Sequence, residues 1–254
     1  MWDAGRRSAT LRAVTTGELI VVAAAVFAAV TTYMVAGFGF SLLAMPVMTF
    51  AIPVEDAVVV AILLAIMSTG HQAVTHRRHV RRPLAARLVV SSFAGMPIGL
   101  VVLNVVEDRT LKIALGIGVI VATVVLIRDL TLDHVGPPLD YVMGFVSGIG
   151  NASIGTNGPP LVFDLQSRRL APNEFRGTLA TVFVLGNLFT VGLFLLDGKI
   201  DRDGLRAVAV AFPAWLLGAL LGRALQPRVP ERLFRRLVLG LLLVTGVVTI
   251  ATAI

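Results

Sequence analysis

Residues 36–46 of this 254-residue chain read AGFGFSLLAMP and lie inside a stretch, 19–54, that carries no charged side chain. A membrane-spanning helix needs about 20 apolar residues, so this stretch is too long for one span and too short for two spans with a turn. Glycine and proline disfavour a helix interior by about 1 and about 3 kcal/mol, respectively. The two glycines and the proline of 36–46 therefore predict a broken or re-entrant helix.

A second irregular stretch of the same kind lies in the other half of the chain. Residues 150–160 read GNASIGTNGPP, within the charge-free window 141–163. The sequence Pro-x-Glu follows both irregular stretches, at 53–55 and again 119 residues later at 172–174. Two irregular motifs with the same sequel predict an internal repeat. Further pairs at the same or nearly the same spacing are Arg87 and Arg206, Gly99 and Gly218, and, 118 residues apart, Gly37 and Gly155.

The composition is that of a membrane protein. Hydrophobic residues make up 56% of the chain, charged residues make up 15%, and the mean hydropathy is +0.87. Globular domains are nearer about 45–50% apolar and about 25% charged. Since charge-free windows recur along the chain, we predict an all-α polytopic membrane protein with about eight transmembrane helices in two repeats. Besides the two broken segments, helices are predicted at 53–75, 84–104, 110–128, 174–196, 204–224 and 233–254.

The predicted organisation is a cytoplasmic N-terminal segment, 1–18, a first membrane repeat, 19–128, a connector, 129–140, and a second membrane repeat, 141–254. Basic loops mark the cytoplasmic side of a membrane protein, and the basic segments at 1–18 and 76–87 place the N-terminus in the cytoplasm. Eight crossings would put the basic segments of the second half outside. The two halves thus favour opposite orientations, as inverted repeats do. Either one broken segment does not cross fully, or the charge bias is weak in the second half.

Both irregular motifs resemble those of the TauE/SafE family of sulfite and sulfonate exporters. Residues 37–46, GFGFSLLAMP, resemble the first-repeat motif of the family, and residues 155–162, GTNGPPLV, resemble the second. The resemblance implies an inner-membrane permease for small anions, with sulfite, sulfoacetate and related organosulfur compounds as substrates. Thr156 and Asn157 stand where many members carry glycine, and Asp164 stands where an apolar residue is commoner, so these positions bear on the choice of substrate.

In transporters built from repeats, unwound segments meet near the middle of the membrane and form the substrate site. The N-termini of half-helices offer unpaired N–H groups and partial positive charge to an anion. Glycines in the breaks would let the backbone approach it, and Ser, Thr and Asn side chains would donate hydrogen bonds. The alternative is that the glycines only permit close helix packing and that the polar side chains only join helices. The candidate substrate-binding residues are Gly37, Phe38, Gly39, Ser41, Asn151, Ser153, Gly155, Thr156, Asn157, Gly158, Ser68, His71 and Asn187.

Few titratable residues lie in the charge-free windows. Asp164 and His71 are the candidates for proton coupling, with a solvated helix end as the alternative for each. His76 and His79 adjoin four arginines, which repel cations, so we predict no metal site. No cofactor is predicted, and the chain has no cysteine, Walker lysine or hydrolase motif, so we predict that it is not an enzyme. The net charge of +7 reflects topology and contact with anionic lipid rather than nucleic acid.

These observations predict a secondary permease that exports a small anion, most simply sulfite or an organosulfonate such as sulfoacetate. Alternating access would occur around the two facing helix breaks. A gated anion channel, an exporter of another small organic acid and a membrane anchor for a soluble enzyme are the alternatives. The predicted partners are the anionic substrate and the lipid bilayer, and the sequence leaves a homo-oligomer open.

Overall fold

The computed structural model describes residues 15–36, 39–128, 136–168, 170–226 and 231–253. These residues form ten α-helices and a 3₁₀ turn at Arg77–His79, and they contain no β-strand. The all-α prediction is confirmed for this part of the chain. The helices are α1 (Thr16–Ala36), α2 (Phe40–Met48), α3 (Val54–Thr75), α4 (Arg82–Val105), α5 (Asp108–Arg128), α6 (Pro137–Ile154), α7 (Gly158–Ser167), α8 (Pro172–Asp197), α9 (Arg202–Leu225) and α10 (Glu231–Ala253).

Five of the described helices are long and apolar enough to cross a membrane. The side chains on their outer faces are apolar and exposed; Val105 of α4 is 65% exposed and Leu217 of α9 is 61% exposed. Such faces suit contact with lipid rather than with water. The five candidate spans are Thr16–Val35, Val54–Thr75, Arg82–Val105, Pro172–Asp197 and Gly204–Leu225.

The helical path is interrupted at both predicted places. In the first half, α1 ends at Ala36 and α2 begins at Phe40, immediately after Gly39, whose φ is 93°. In the second half, α6 ends at Ile154, Gly155 adopts a φ of 65°, and α7 begins at Gly158. Side chains other than Gly and Asn rarely tolerate this left-handed backbone, so glycine at 39 and at 155 ends one helix and redirects the chain.

The two halves interlock through two closely packed helix pairs. Helix α4 of the first half packs along α6 of the second, and α1 of the first half packs along α9 of the second. Glycines permit this approach: a methyl group added at Gly218 of α9 would lie 2.6 Å from the Phe27 carbonyl oxygen of α1. Helix α3 packs on α8, and α5 packs on α10. This packing brings α2 and α7, the short helices after the two breaks, into the interior of the bundle.

Candidate functional site

A small, partly open cavity of about 30 Å³ lies between the two helix breaks. The start of α2 and the end of the second break form opposite parts of its wall, and α1, α3 and α8 complete it. The side chains that line it are uncharged. The lining residues are Tyr33, Gly39, Phe40, Ser41, Leu42, Ala65, Thr69, Thr156, Asn157, Gly158, Phe183 and Asn187.

The first turn of α2 faces this cavity. The first N–H groups of a helix have no carbonyl partner within the helix, and they carry the positive end of its dipole. Gly39 occupies the N-cap position, and no side chain caps the helix there. A methyl group built on Gly39 would meet no heavy atom within 4 Å. Close packing is therefore not what requires glycine here. The left-handed backbone requires it, and the absence of a side chain leaves the space in front of the N–H groups open.

Two buried side chains on the cavity wall have polar atoms that find no hydrogen-bond partner among the described residues. Tyr33 of α1 is 1% exposed and its hydroxyl is unpartnered, and Asn187 of α8 is 3% exposed and its Oδ1 is unpartnered. Leaving a buried polar atom unpaired costs roughly 1–3 kcal/mol, so such atoms are retained where a ligand or water pairs with them. Both residues line the cavity, which makes them the polar groups best placed to meet a bound molecule.

The second break contributes Thr156, Asn157 and Gly158 to the cavity. Its backbone is held on both sides: the Thr156 N–H donates to the Gly150 carbonyl oxygen at 3.1 Å, and the Ser147 hydroxyl donates to the Asn157 carbonyl oxygen at 2.8 Å. Residues 159 and 160, in the first turn of α7, are both proline and have no N–H to offer. The second break therefore presents a fixed wall with fewer backbone donors than the first.

Six of the predicted site residues line this cavity, and five lie elsewhere. His71 is exposed on the late part of α3, and Gly155 packs on Met45, whose sulfur would lie 2.9 Å from an added methyl group. Gly37 and Phe38 lie outside the described residues. The three remaining side chains bond within the bundle: Asn151 donates to Thr190 Oγ1 at 3.0 Å, Ser153 donates to the Ile149 carbonyl at 2.7 Å, and Ser68 Oγ accepts from Trp215 Nε1 at 2.9 Å.

The other six lining residues are not among the predicted site residues. Tyr33, Thr69 and Phe183 lie in long apolar helices, where nothing in the local pattern separates a cavity wall from ordinary core. The available signal for Tyr33 was its phenol group, four residues before Gly37 in a charge-free helix. A buried tyrosine usually finds a hydrogen-bond partner, and here that partner has to come from the cavity.

A buried cluster of four charged side chains lies at the far end of α7. Asp140 of α6 is fully buried and forms ion pairs with Arg87 of α4 and with Arg168, the C-cap residue of α7. Asp164 of α7 is also fully buried, and its Oδ1 lies 3.4 Å from Arg168 Nη2. The alternative interpretation of Asp164 as a solvated helix end is therefore wrong. Its carboxylate lies inside the bundle because α6 and α7 pack over it.

The basic loop between α3 and α4 is tied to the second half of the molecule. Arg81 Nε lies 3.1 Å from Glu174 Oε1, and the Arg81 N–H donates to Thr178 Oγ1 at 3.0 Å. Partial burial, together with the charges of Arg176 and the neighbouring histidines, lowers the pKa of His76. The imidazole is therefore uncharged at neutral pH, and the arginines supply the positive charge of the loop.

Comparison with known proteins identifies a family and a curated relative that the chain resembles. The family described as "Sulfite exporter TauE/SafE" matches residues 21–249. A curated protein of Cupriavidus necator, named "Probable sulfite/organosulfonate exporter TauE", is 22% identical over 223 residues, which cover 84% of this chain and 86% of that protein. No solved structure matches the chain.

Proposed function

This chain belongs to the sulfite exporter TauE/SafE family of membrane transport proteins, and we propose that it is a secondary permease that exports sulfite or an organosulfonate such as sulfoacetate across the inner membrane. The observation that carries the proposal is the cavity between the breaks. There the uncapped start of α2, the Tyr33 hydroxyl and the Asn187 side-chain amide line one partly open space.

The chemistry of this cavity suits a small anion. Backbone N–H groups at the start of α2 and the Tyr33 hydroxyl are donors, and a helix N-terminus favours negative charge. A sulfite or sulfonate group carries several acceptor oxygens on one compact centre, so donors on different sides of the cavity can bind it together. The wall of the cavity contains no charged side chain, so no fixed cation holds the anion and the anion can be released.

Energetics allow export without an ATP site. Moving one charge through 100 mV is worth about 2.3 kcal/mol, and an anion leaving a negative-inside cell moves down this potential. A permease that only binds the anion and exposes it to each side in turn is therefore sufficient for export.

The packing of the two halves supports an inverted-repeat mechanism. Gly99 of α4 contacts Ile149 of α6, and Gly218 of α9 contacts Val30 of α1. Gly218 lies 119 residues after Gly99, and Ile149 lies 119 residues after Val30. Each half therefore makes the equivalent glycine contact with the other half. In this proposal, 19–128 and 141–254 form inverted repeats of four membrane segments each, with each broken pair counted as one, and rock against each other around the cavity.

Flux measurements on purified protein in liposomes test the proposal. We expect saturable flux of sulfite and sulfoacetate, inhibition of each by the other, counterflow of labelled sulfoacetate, and no flux of chloride. Counterflow separates a carrier from a channel, since a channel equilibrates label without exchange. Equal flux of chloride and sulfite would contradict a selective exporter, and protein-free liposomes control for leak.

A further inference from the structure

Asp164 is a buried carboxyl group that its surroundings satisfy poorly. Its side chain is fully buried, its Oδ2 has no hydrogen-bond partner, and its Oδ1 reaches Arg168 only at 3.4 Å. An ionised carboxylate removed from water is stable only when it is paired and hydrogen-bonded. Among the described residues, Asp164 lacks that compensation on one of its two oxygens, and its contact with the guanidinium of Arg168 is long.

Asp140 outcompetes Asp164 for the available positive charge. Asp140 Oδ1 bonds to the same Arg168 nitrogen that Asp164 approaches, and Asp140 Oδ2 bonds to Arg87 Nε. Among the residues that the structure describes, the charged groups that face Asp164 are thus Arg168 on its own helix and Asp140 on α6, with Arg87 of α4 bonded to Asp140 rather than to Asp164. Among the described side chains of α5 and α8, which also pack on α7, none forms an ion pair with Asp164. Arg87 and Arg168 both bond to Asp140, so Asp164 is the carboxyl group on which a proton costs least, because that proton removes the repulsion between two neighbouring buried carboxylates.

The position of this carboxyl group ties it to the cavity. Asp164 lies six residues after Gly158, which at 1.5 Å per residue is about 9 Å along α7. Gly158 lines the cavity, so one short helix carries the second break at one end and Asp164 with Arg168 at the other. A change of charge at Asp164 alters its attraction to Arg168 and its repulsion from Asp140. Such a change shifts the position of α7 relative to α6, and Gly158 at the start of α7 is part of the cavity wall.

We propose that Asp164 is the proton-binding residue of this permease, with Oδ2 accepting a proton from water on one side of the membrane and releasing it to the other. Arg168 acts as a positioning residue that exchanges between Asp140 and Asp164. The claim that proton binding is coupled to flux rests on the proposed export function. The claim that Asp164 binds a proton does not.

The bound proton is tested without any substrate. Infrared spectra of the purified protein are recorded against pH for wild type, Asp164→Asn and a control, Glu174→Gln, which removes a partly exposed carboxylate outside the cluster. We expect a protonated-carboxyl band that grows as the pH is lowered from neutral to mildly acidic values, that Asp164→Asn abolishes and that Glu174→Gln leaves in place. A band that survives in Asp164→Asn, or no band in wild type, would overturn the assignment.

The coupling is tested with sulfoacetate, whose acid groups stay ionised at neutral pH, in liposomes with the membrane potential clamped. We expect a pH gradient to change the flux severalfold in wild type and Glu174→Gln. The ratio of flux with and without the gradient should fall to about one in Asp164→Asn and stay above one in Asp164→Glu, which keeps a titratable group. An undiminished ratio in Asp164→Asn would overturn the coupling. If wild type moves no sulfoacetate while the infrared band behaves as expected, the proton site stands and the proposed substrate fails.

Discussion

The two short helices that follow the breaks, α2 and α7, occupy equivalent places in the proposed repeat and differ in their side chains. At the cavity end, α2 begins with residues that all carry an N–H, whereas α7 has prolines at 159 and 160, the second and third residues of the helix. At the far end, Met45 and Thr49 of the first half correspond, 119 residues later, to Asp164 and Arg168. The difference indicates that, in the proposed mechanism, the start of α2 supplies donors for the anion, whereas α7 carries ionisable groups.

The strongest challenge to the role of α2 is Gly39→Leu. A leucine at φ 93° is strained, and its side chain enters the open space in front of the first turn. We expect transport to be abolished while membrane insertion is retained, measured as sulfoacetate counterflow in liposomes and as the amount of folded protein after detergent extraction.

Gly192→Leu is the matched control, because Gly192 is exposed on α8, has no heavy atom within 4 Å of an added methyl group and lacks the positive φ. It should transport at the wild-type rate. Wild-type flux in Gly39→Leu would mean that the break is not the substrate site.

The far ends of α2 and α7 should contribute differently to the stability of the folded protein. Arg168→Ala removes one of the two cations that pair with the fully buried Asp140, and breaking a buried ion pair costs about 3–5 kcal/mol. The equivalent change in the first half, Thr49→Ala, removes one hydrogen bond, from Thr49 Oγ1 to the Pro46 carbonyl at 3.0 Å, worth about 0.5–1.5 kcal/mol. Thermal unfolding in detergent should therefore show a much larger loss for Arg168→Ala. Equal losses would remove the distinction between the two ends.

Tyr33→Phe tests whether the unpartnered hydroxyl meets the substrate. A hydrogen bond to a charged group contributes about 1.5–3 kcal/mol, so the apparent KM for sulfite should rise roughly 10- to 100-fold with little change in folded yield. Tyr141, the second of the two tyrosines, is 48% exposed on α6, and Tyr141→Phe provides the control. An unchanged KM in Tyr33→Phe would return this residue to a purely structural role.

Asn187→Ala removes the other unpartnered cavity group. We expect the apparent affinity for sulfite to fall by up to about 10-fold, the value of an ordinary hydrogen bond donated by the Asn187 side-chain N–H group, and to fall more than the expression level does. An expression defect with an unchanged KM would instead assign Asn187 to helix packing.

The smallest expected effect comes from making α7 more like α2. Pro159→Ala restores an N–H in the first turn of α7 at the cavity end. If donors are what distinguish the two helix starts, the apparent affinity should improve severalfold, with a slight loss of stability because proline suits the first turn of a helix. A weaker affinity would indicate that the prolines shape the cavity wall rather than limit its donors.

The helices and breaks were predictable because they depend on local chemistry. Charge-free windows and the Gly and Pro residues of the two motifs placed the long helices within about two residues of their observed ends, as at Val54–Thr75 and Asp108–Arg128. Gly39 and Gly155 were selected as break residues, and both have positive φ. The same analysis selected Asn187, whose position in the repeat matches that of Ser68.

Residues whose role depends on distant partners were not predictable. Tyr33 is one apolar-helix residue among many until the structure shows its hydroxyl facing a cavity formed by other helices. Asp140 was assigned to the connector because charges at the end of a window usually contact water or headgroups. Its burial depends on Arg87 and Arg168, which lie 53 residues before it and 28 residues after it.

The central claim is that the exported anion binds between the two helix breaks. The most direct measurement is a crystal structure with selenite, a heavier analogue of sulfite, located by the anomalous signal of selenium in wild type and in Tyr33→Phe. The account predicts one strong peak in the cavity between Gly39 and Asn187, displaced by excess sulfite and weakened in Tyr33→Phe. A sulfite-displaceable peak elsewhere, with this cavity empty, would contradict it.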